Sequence, residues 1–559
     1  MKIGICGNIE LFSLADNLDR QFPGNDIVVG MKDAFLNELS NPEGEFLDIN
    51  ICIVALDWVR FVPDLYEYGA GDDPELVKSI FASKTKELDN SFRQFRSRVA
   101  APLLVFSPVN EYLGATGFID RLLPYSAGDL FAKCQNEFNS LCRGLASVYP
   151  IDLELLSSRF GKDLAFDNDS DCSCNQPFSS EFLSKLGAHI VLVINQLIKY
   201  PLKCLVLDLD NTLWGGIVGE VGIDGIVLDD SGPGRAFRNL QSYIVKLYKQ
   251  GVLLAVCSKN NTCDALEVLE LHSKMLIRPS MISSFRINWE NKPKNIVEIS
   301  RELNIGFESI MFIDDNPSER ALVKLALPEV EVLELPDNPA LYADCLANSS
   351  RFWPVQLSAD DFKKGEFFQQ EKIRRRSAEL AQNLEKFLFE SDIRAIVKMA
   401  VEESLPRIHQ LFSKTNQFNS TTRRYSLVEL ARFMEEKNAA LYSLEVKDRY
   451  GEYGLVGAAL INGNRIDSFL LSCRVFGKQV ERAFLAWILY RMRTRGELKV
   501  TGVFIPSNKN SMVKKTFELA GFEFKESRGE EQHWVIDLEE IKVECPAWIQ
   551  VSSNISDHN

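Results

Sequence analysis

The tightest constraint in this sequence is a short apolar run that ends in two carboxylates. After Lys203 the residues Cys-Leu-Val-Leu read as a β-strand of the continuously apolar kind that helices cover on both faces. Asp208-Leu-Asp210-Asn-Thr212 follows at its end. Side chains at i and i+2 of a strand point to one face. Two like charges there repel, and one titrates upward unless a cation neutralises them. Magnesium answers that need, because it takes oxygen ligands from one or two carboxylates, water and substrate phosphate. The pair also sits where open α/β sheets bind ligands, beyond the carboxyl end of a strand. Alone, an Asp-x-Asp equally fits a loop or a helix cap.

Three further elements follow in sequence order. Ser258 ends a second apolar strand in Val256-Cys-Ser-Lys-Asn, where a hydroxyl can hold a phosphate oxygen. Lys292, in Trp289-Glu-Asn-Lys, can offset negative charge on a nucleophile and a phosphate. Asp314-Asp315 ends a third strand in Phe312-Ile-Asp-Asp-Asn-Pro and adds carboxylates on the metal side. Each has a plainer reading by itself: Ser258 as a helix cap, Lys292 as a solvated surface residue, Asp314-Asp315 as a turn. Together and in order they resemble the haloacid dehalogenase (HAD) superfamily. That resemblance implies Asp208 as the nucleophile that becomes an aspartyl-phosphate and Asp210 as general acid and then base. It implies Ser258 and Lys292 as phosphate-binding residues. Asp208, Asp210, Asp314 and Asp315 would hold Mg2+, which clamps phosphoryl oxygens. The stretches 209–257 and 259–291 are too short for a large cap domain, so the site is expected to be open or lidded by another domain. Trp214-Gly-Gly-Ile-Val-Gly-Glu-Val-Gly222 is expected to form a mobile flap or a simple β-hairpin.

The pattern along the chain predicts an α/β multidomain protein. Residues 1–200 alternate strands (Ile3–Gly7, Asp48–Leu56, Pro102–Phe106) with helices (Leu76–Val99, Ser179–Lys199), as in a parallel α/β unit. Residues 201–345 form the Rossmann-like HAD unit without a large cap, with helices over Arg235–Gln250 and Asn295–Asn304. Residues 346–394 form a charged helical connector containing Arg374-Arg-Arg376. Residues 395–545 form an α+β domain, with helices near 405–413, 426–437 and 480–495 and strands near 440–447, 454–461, 465–471 and 499–505. Residues 546–559 are a tail.

Longer strings narrow the resemblance. Leu207-Asp-Leu-Asp-Asn-Thr-Leu-Trp-Gly-Gly-Ile-Val-Gly-Glu-Val-Gly222, Phe312-Ile-Asp-Asp-Asn-Pro-Ser-Glu-Arg320, Lys414-Thr-Asn-Gln-Phe-Asn-Ser-Thr-Thr-Arg-Arg-Tyr425 and Ser472-Cys-Arg-Val-Phe-Gly-Lys-Gln-Val-Glu481 are similar to the FkbH-like subfamily. The similarity covers roughly 200–545. It implies an enzyme that takes 1,3-bisphosphoglycerate, removes phosphate and delivers glycerate as a thioester to a phosphopantetheinylated acyl carrier protein of polyketide biosynthesis. It also implies a GNAT-like C-terminal domain, closed by Asn508-Lys-Asn-Ser-Met-Val and Glu518-Leu-Ala-Gly-Phe522. Cys473 is the candidate acyl carrier, since Arg474, Lys478 and a helix start near Val480 favour a thiolate; a buried small hydrophobe is the plainer reading. Lys414, Asn416, Gln417, Asn419, Arg423 and Arg424, with Arg474, are candidates for holding a substrate oxyanion. A capped helix start using Ser420, Thr421 or Thr422 explains the same cluster. His409 reads as structural. Arg374-Arg-Arg376 is either a dock for an acidic carrier or a solvated helix face. Two other readings stay open: a small-molecule HAD phosphatase with accessory domains, and a GNAT-type acyltransferase. The second is disfavoured because Cys473–Gly477 lacks a glycine-rich pyrophosphate loop.

Gly4-Ile-Cys-Gly-Asn-Ile9 resembles the opening of SGNH-type hydrolases, with Gly7-Asn8 where Gly-Asp-Ser would stand, so the serine nucleophile is missing. Asp171 and His189 supply the types of the closing Asp/His pair without its tight spacing. A degenerate, non-hydrolytic domain is expected, either docking a partner or purely structural. A net charge of −15 argues against general nucleic-acid binding. The N-terminal segment turns polar too early for a signal peptide, and no uninterrupted apolar run approaches the ~20 residues of a membrane span. Twelve cysteines scattered through apolar stretches fit a reducing cytoplasm. Cys172-Ser-Cys174 reads as a polar loop with no metal role.

Overall fold

Strand-forming runs rich in Ile, Val and Leu alternate with amphipathic helices through the first two-thirds of the chain, and each run becomes one strand of a parallel sheet. The computed structural model describes residues 1–554 except 32–33, 70–71, 111–116, 124–125, 199–201, 350, 355–383, 416, 437, 508–509 and 540–543. The chain divides into two compact units, Met1–Leu197 with Ser426–Val428, and Ile198–Tyr425 with Glu429–Asn559.

In the first unit β1 (Lys2–Gly7), β2 (Asp26–Val29), β3 (Ile51–Ala55), β4 (Leu103–Phe106) and β5 (Val148–Ile151) form a parallel sheet in the order β2-β1-β3-β4-β5. The expected helices run over Pro74–Arg98 and Ser180–Ile198. The second of these is long and apolar enough to cross a membrane. Phe182, Leu183, Leu186, Ile190 and Ile194 place one of its faces in the core of the unit. The segment around Cys172 and Cys174 is a correction: it is a helix, Asn168–Cys174, because the Asp167 carboxylate accepts from the amides of Asp169 and Ser170 and caps it.

The second unit holds two sheets. β6 (Cys204–Leu207), β7 (Leu253–Ser258), β8 (Ile282–Ile287), β9 (Ile310–Ile313) and β10 (Glu331–Val332) are parallel, in the order β10-β9-β6-β7-β8. Alternation sends Leu205, Leu207, Leu254 and Val256 to Leu240 and Ile244 of helix Gly234–Lys249. It sends Cys204, Val206, Ala255 and Cys257 to Ile296 and Ile299 of helix Lys292–Leu303. Both faces are covered, so these strands carry no polar side.

The third sheet is mixed: β11 (Ile393–Met399), β12 (Ala439–Asp448), β13 (Gly451–Asn462), β14 (Arg465–Leu471), β15 (Lys499–Phe504), β16 (Glu523–Arg528), β17 (Glu531–Asp537) and β18 (Ile549–Ser553), in the order β16-β17-β15-β14-β13-β12-β11-β18. Two expectations change here. Residues 546–559 are not simply a tail, since β18 pairs in parallel with β11 along Ile393–Val397. The charged connector, including Arg374-Arg-Arg376, lies largely outside the described residues; its described part ends in helix Leu384–Glu390. Among the described cysteines all are free.

Candidate active site at the carboxyl ends of the second sheet

β6 lies at the centre of its sheet, flanked by β9 and β7, so the residues just past these strands converge. Asp208 extends the ladder by donating its amide to the Ile313 carbonyl at 3.0 Å. That register places Asp208 beside Asp314 and Asp315. Asp208, Asp314 and Asp315 each present a carboxylate oxygen, all within 4.8 Å of one another. Asp314 is fully buried and Asp208 is 6% exposed. Lys292, the first residue of helix Lys292–Leu303, enters from the end of β8. Its N-cap Asn291 accepts from the Lys294 amide. The Lys292 ammonium lies 2.8 Å from Asp208 Oδ1 and is bonded to Asp314 Oδ2.

The charges shift one another as the crowding demands. Burial, then the negative charge of Asp208, pushes the Asp314 carboxyl up to about 6 against the opposing pull of Lys292. Burial and Asp208 also raise Asp315. Burial alone would pull the Lys292 ammonium down, but Asp208 and Asp314 outweigh it and hold it above its ordinary value. Three carboxylates around one ammonium leave surplus negative charge in a nearly dry site. An all-oxygen donor set of this kind fits a hard divalent cation.

Asp210 stands apart from that trio, which corrects its expected role as a side-chain metal ligand. Its Oδ1 accepts from Trp214 Nε1 at 2.9 Å and from the Val218 amide at 3.1 Å. Its Oδ2 accepts from Asn260 Nδ2 at 2.9 Å. The loop geometry follows from Asn211, which takes a left-handed φ of 55° and accepts from the Gly216 amide through Oδ1. The Gly-rich stretch is therefore neither a hairpin nor wholly a surface flap. Trp214 is fully buried, Gly215 bridges to Val227, and Val218–Gly225 is helical with a kink at Gly222. The indole N–H finds its partner in Asp210, so the ring is buried without a stranded donor.

Ser258 ends β7, buried, with Oγ 3.4 Å from Asn260 Nδ2. Thr212 Oγ1 donates to Asp315 Oδ1 at 3.2 Å and accepts from the Asp315 amide. Arg320 Nη1 donates to the carbonyls of Asp314 and Asp315 at 2.8 and 2.7 Å, while its Nε pairs with Glu334. The sequence motifs assign no site role to Trp214, Asn260 or Arg320. The available signal was spacing: Asn260 falls at i+2 from Ser258 and Trp214 at i+4 from Asp210.

The C-terminal candidates separate. Parallel strands β14 and β15 pair only through Arg465–Ile466 and Thr501–Gly502. Beyond that point the segment from Phe418 to Ser420 stitches them together. The Leu471 amide donates to the Phe418 carbonyl, the Ser420 amide to Phe469, and the Ile505 amide to the Ser420 carbonyl. Asn510 Nδ2 adds a bond to the Asn419 carbonyl at 3.0 Å. Asn419 Oδ1 caps the turn by accepting from the Thr421 and Thr422 amides. Asn419 of the proposed oxyanion cluster is thus engaged in bonds that hold the fold. Arg423 is a correction as a free oxyanion fork: it pairs with Asp467 at 3.2 Å and with Glu531, carboxylates that Arg465 also binds. Lys414 ends helix Leu405–Lys414, and its carbonyl accepts from Lys203. Arg424 follows in the same segment, and Asn416 lies outside the described residues. His409 is held below its ordinary pKa by burial.

Cys473 opens a short 3-10 turn, Cys473–Val475, directly after β14; its side chain lies outside the described residues. Arg474 Nη1 donates to the Tyr453 carbonyl at 3.0 Å, and the Lys478 ammonium sits 5.1 Å from the Tyr453 ring centre.

In the N-terminal unit, Asn8 occupies the end of β1. Its Nδ2 donates to the Asp57 carbonyl at 2.9 Å and its Oδ1 accepts from the Asp57 amide at 2.6 Å. Asp57 pairs with Arg60, which also reaches Asp171 at 2.6 Å. His189 is held below its ordinary pKa by burial.

No protein-family model matches the chain, and no curated protein matches it. Among solved structures it resembles the N-terminal part of protein BF1531 from Bacteroides fragilis, described as containing a phosphatase domain complexed with Mg. Identity is 24% over 62% of this chain and 93% of that one, with a TM-score of 0.53. That likeness is one of fold, shared over this part of the chain. Shorter likenesses are to the spermidine/spermine N-acetyltransferase SpeG of Vibrio cholerae (14% identity, 26% of this chain, 95% of that one, TM-score 0.21) and the ribosomal-protein-S18-alanine N-acetyltransferase of Escherichia coli (12%, 25%, 90%, 0.21).

Proposed function

We propose that this chain is a Mg2+-dependent phosphoryl-transfer enzyme of the HAD type. Asp208, Asp314 and Asp315 would hold the ion, which when bound neutralises phosphoryl oxygens. The observation that carries the reading is the convergence of three carboxylates and Lys292 at adjacent strand ends. Asp208 attacks phosphorus, Lys292 and Ser258 bind the phosphate, and Asp210 protonates the leaving oxygen before activating water for the second step.

The finer reading, supported by the FkbH-like strings quoted above, is a glyceryl transferase–phosphatase. The enzyme draws the glyceryl unit from 1,3-bisphosphoglycerate, removes phosphate and loads a glyceryl thioester onto a phosphopantetheinylated acyl carrier protein for polyketide biosynthesis. Cys473 relays the acyl group as a thioester, and Arg474 lies beside it in the same turn. The Mg2+-loaded chain incubated with 1,3-bisphosphoglycerate and the carrier should add one glyceryl mass to the carrier, read by intact-protein mass spectrometry. Loss of that gain in Cys473→Ala, with phosphate release retained, places the acyl step at the thiol. Phosphate release without any carrier gain in the unmodified chain leaves a small-molecule phosphatase.

A further inference from the structure

Resting on the phosphoryl-transfer reading, we propose that Trp214 and Asn260 are positioning residues that fix the orientation of the Asp210 carboxylate. Oδ1 is anchored, and Oδ2 is left as the oxygen that exchanges the proton. The argument is one of donors and acceptors. Oδ1 faces two N–H groups, Trp214 Nε1 at 2.9 Å and the Val218 amide at 3.1 Å. Neither can accept, since indole and backbone N–H groups are donors only. A proton on Oδ1 would confront two others.

Oδ2 faces Asn260, whose amide offers a donor and an acceptor. Turned one way it donates to the carboxylate; turned over, it accepts from the carboxylic acid. Its other neighbour tolerates both poses, because the Ser258 hydroxyl 3.4 Å away can donate or accept. Asn260 is 4% exposed and Trp214 is fully buried, so both donors are held inside the protein while the Asp210 carboxylate is half-buried. Trp214 is also held by its place in the apolar core of the second sheet.

The two half-reactions then share one oxygen. As the Asp208 oxygen bonds to phosphorus and the ester P–O bond breaks, the proton leaves Oδ2 for the departing oxygen. Water then attacks phosphorus, the aspartyl O–P bond breaks to release phosphate, and the water proton returns to Oδ2.

The test uses the full chain with Mg2+ and a series of phosphate monoesters, from nitrophenyl esters, whose leaving group needs no proton, to alkyl esters, whose leaving group does. kcat/KM is measured for each. Trp214→Phe should steepen the dependence on leaving-group basicity, with at least about tenfold more loss for alkyl than for nitrophenyl esters, a fraction of what a whole general acid supplies. Asn260→Ala should steepen it in the same sense, and it carries the test if the tryptophan variant does not fold. An equal loss across all esters, as a merely structural role would give, overturns the assignment, as does no change. If the unmodified chain turns over none of the esters, the phosphoryl-transfer reading fails and takes this one with it.

Discussion

In the N-terminal sheet, the carboxyl ends of β1 and β3 meet through Asn8, whose side-chain amide donates to and accepts from the backbone of Asp57, and Asp57 is answered by Arg60. In the second sheet, the carboxyl ends of β6 and β9 meet through Asp208, Asp314 and Asp315, and Lys292 bonds two of the three. Both sheets are parallel and five-stranded, so architecture does not separate them. What differs is the polar balance at the strand ends. A neutral amide that satisfies two backbone groups closes the first. A surplus of carboxylate leaves the second in need of a cation.

The sharpest way to break this contrast is at the nucleophile. Asp208→Asn should lower phosphate release by on the order of 10⁴-fold or more, since a covalent mechanism has no substitute for that oxygen. Full turnover by the variant would exclude Asp208 from the chemistry.

Next comes Lys292→Ala, which leaves buried carboxylates unanswered and should cost about 3–5 kcal/mol of metal-free stability. Thermal unfolding with and without Mg2+ reads this, and the ion should restore part of the loss. A variant as stable as the parent would show that the ammonium does not hold the site together.

In the other sheet, Asn8→Ala should cost only about 1–3 kcal/mol, for the stranded backbone groups of Asp57. Denaturant unfolding of the variant checks it. A loss of phosphate release as large as that of Asp208→Asn would contradict a closing role.

The smallest effect is on pH. Folding raises the Asp314 carboxyl from 3.8 to about 6. Between those values the folded chain holds more protons than the unfolded one, so the contribution of Asp314 to metal-free stability falls as pH rises through the window. Mg2+ competes with that proton. Its affinity should weaken as pH drops below about 6, by up to roughly tenfold per unit for one displaced proton. Calorimetric titrations across the window measure it, and a flat affinity would remove Asp314 from the ligand set.

The sequence by itself determined the second sheet and the carboxylates at its strand ends. Continuous apolar runs make buried parallel strands, and charged residues placed just past them have nowhere to go but the ligand crevice. Only the tertiary structure decided how donors meet acceptors. Asp210 and Asp208 share a motif, yet Trp214, Val218 and Asn260 draw Asp210 away from the metal-side trio, because the loop turns through a left-handed Asn211 that no apolar pattern announces. Arg423 looked like an anion fork and is matched by Asp467 and Glu531, residues far along the chain. Residues 546–559 looked like a tail, yet β18 within them pairs with β11. Hydrophobic patterning is local and legible from neighbours in sequence. Hydrogen-bond and charge pairing depends on which residues the completed fold brings within about 3 Å.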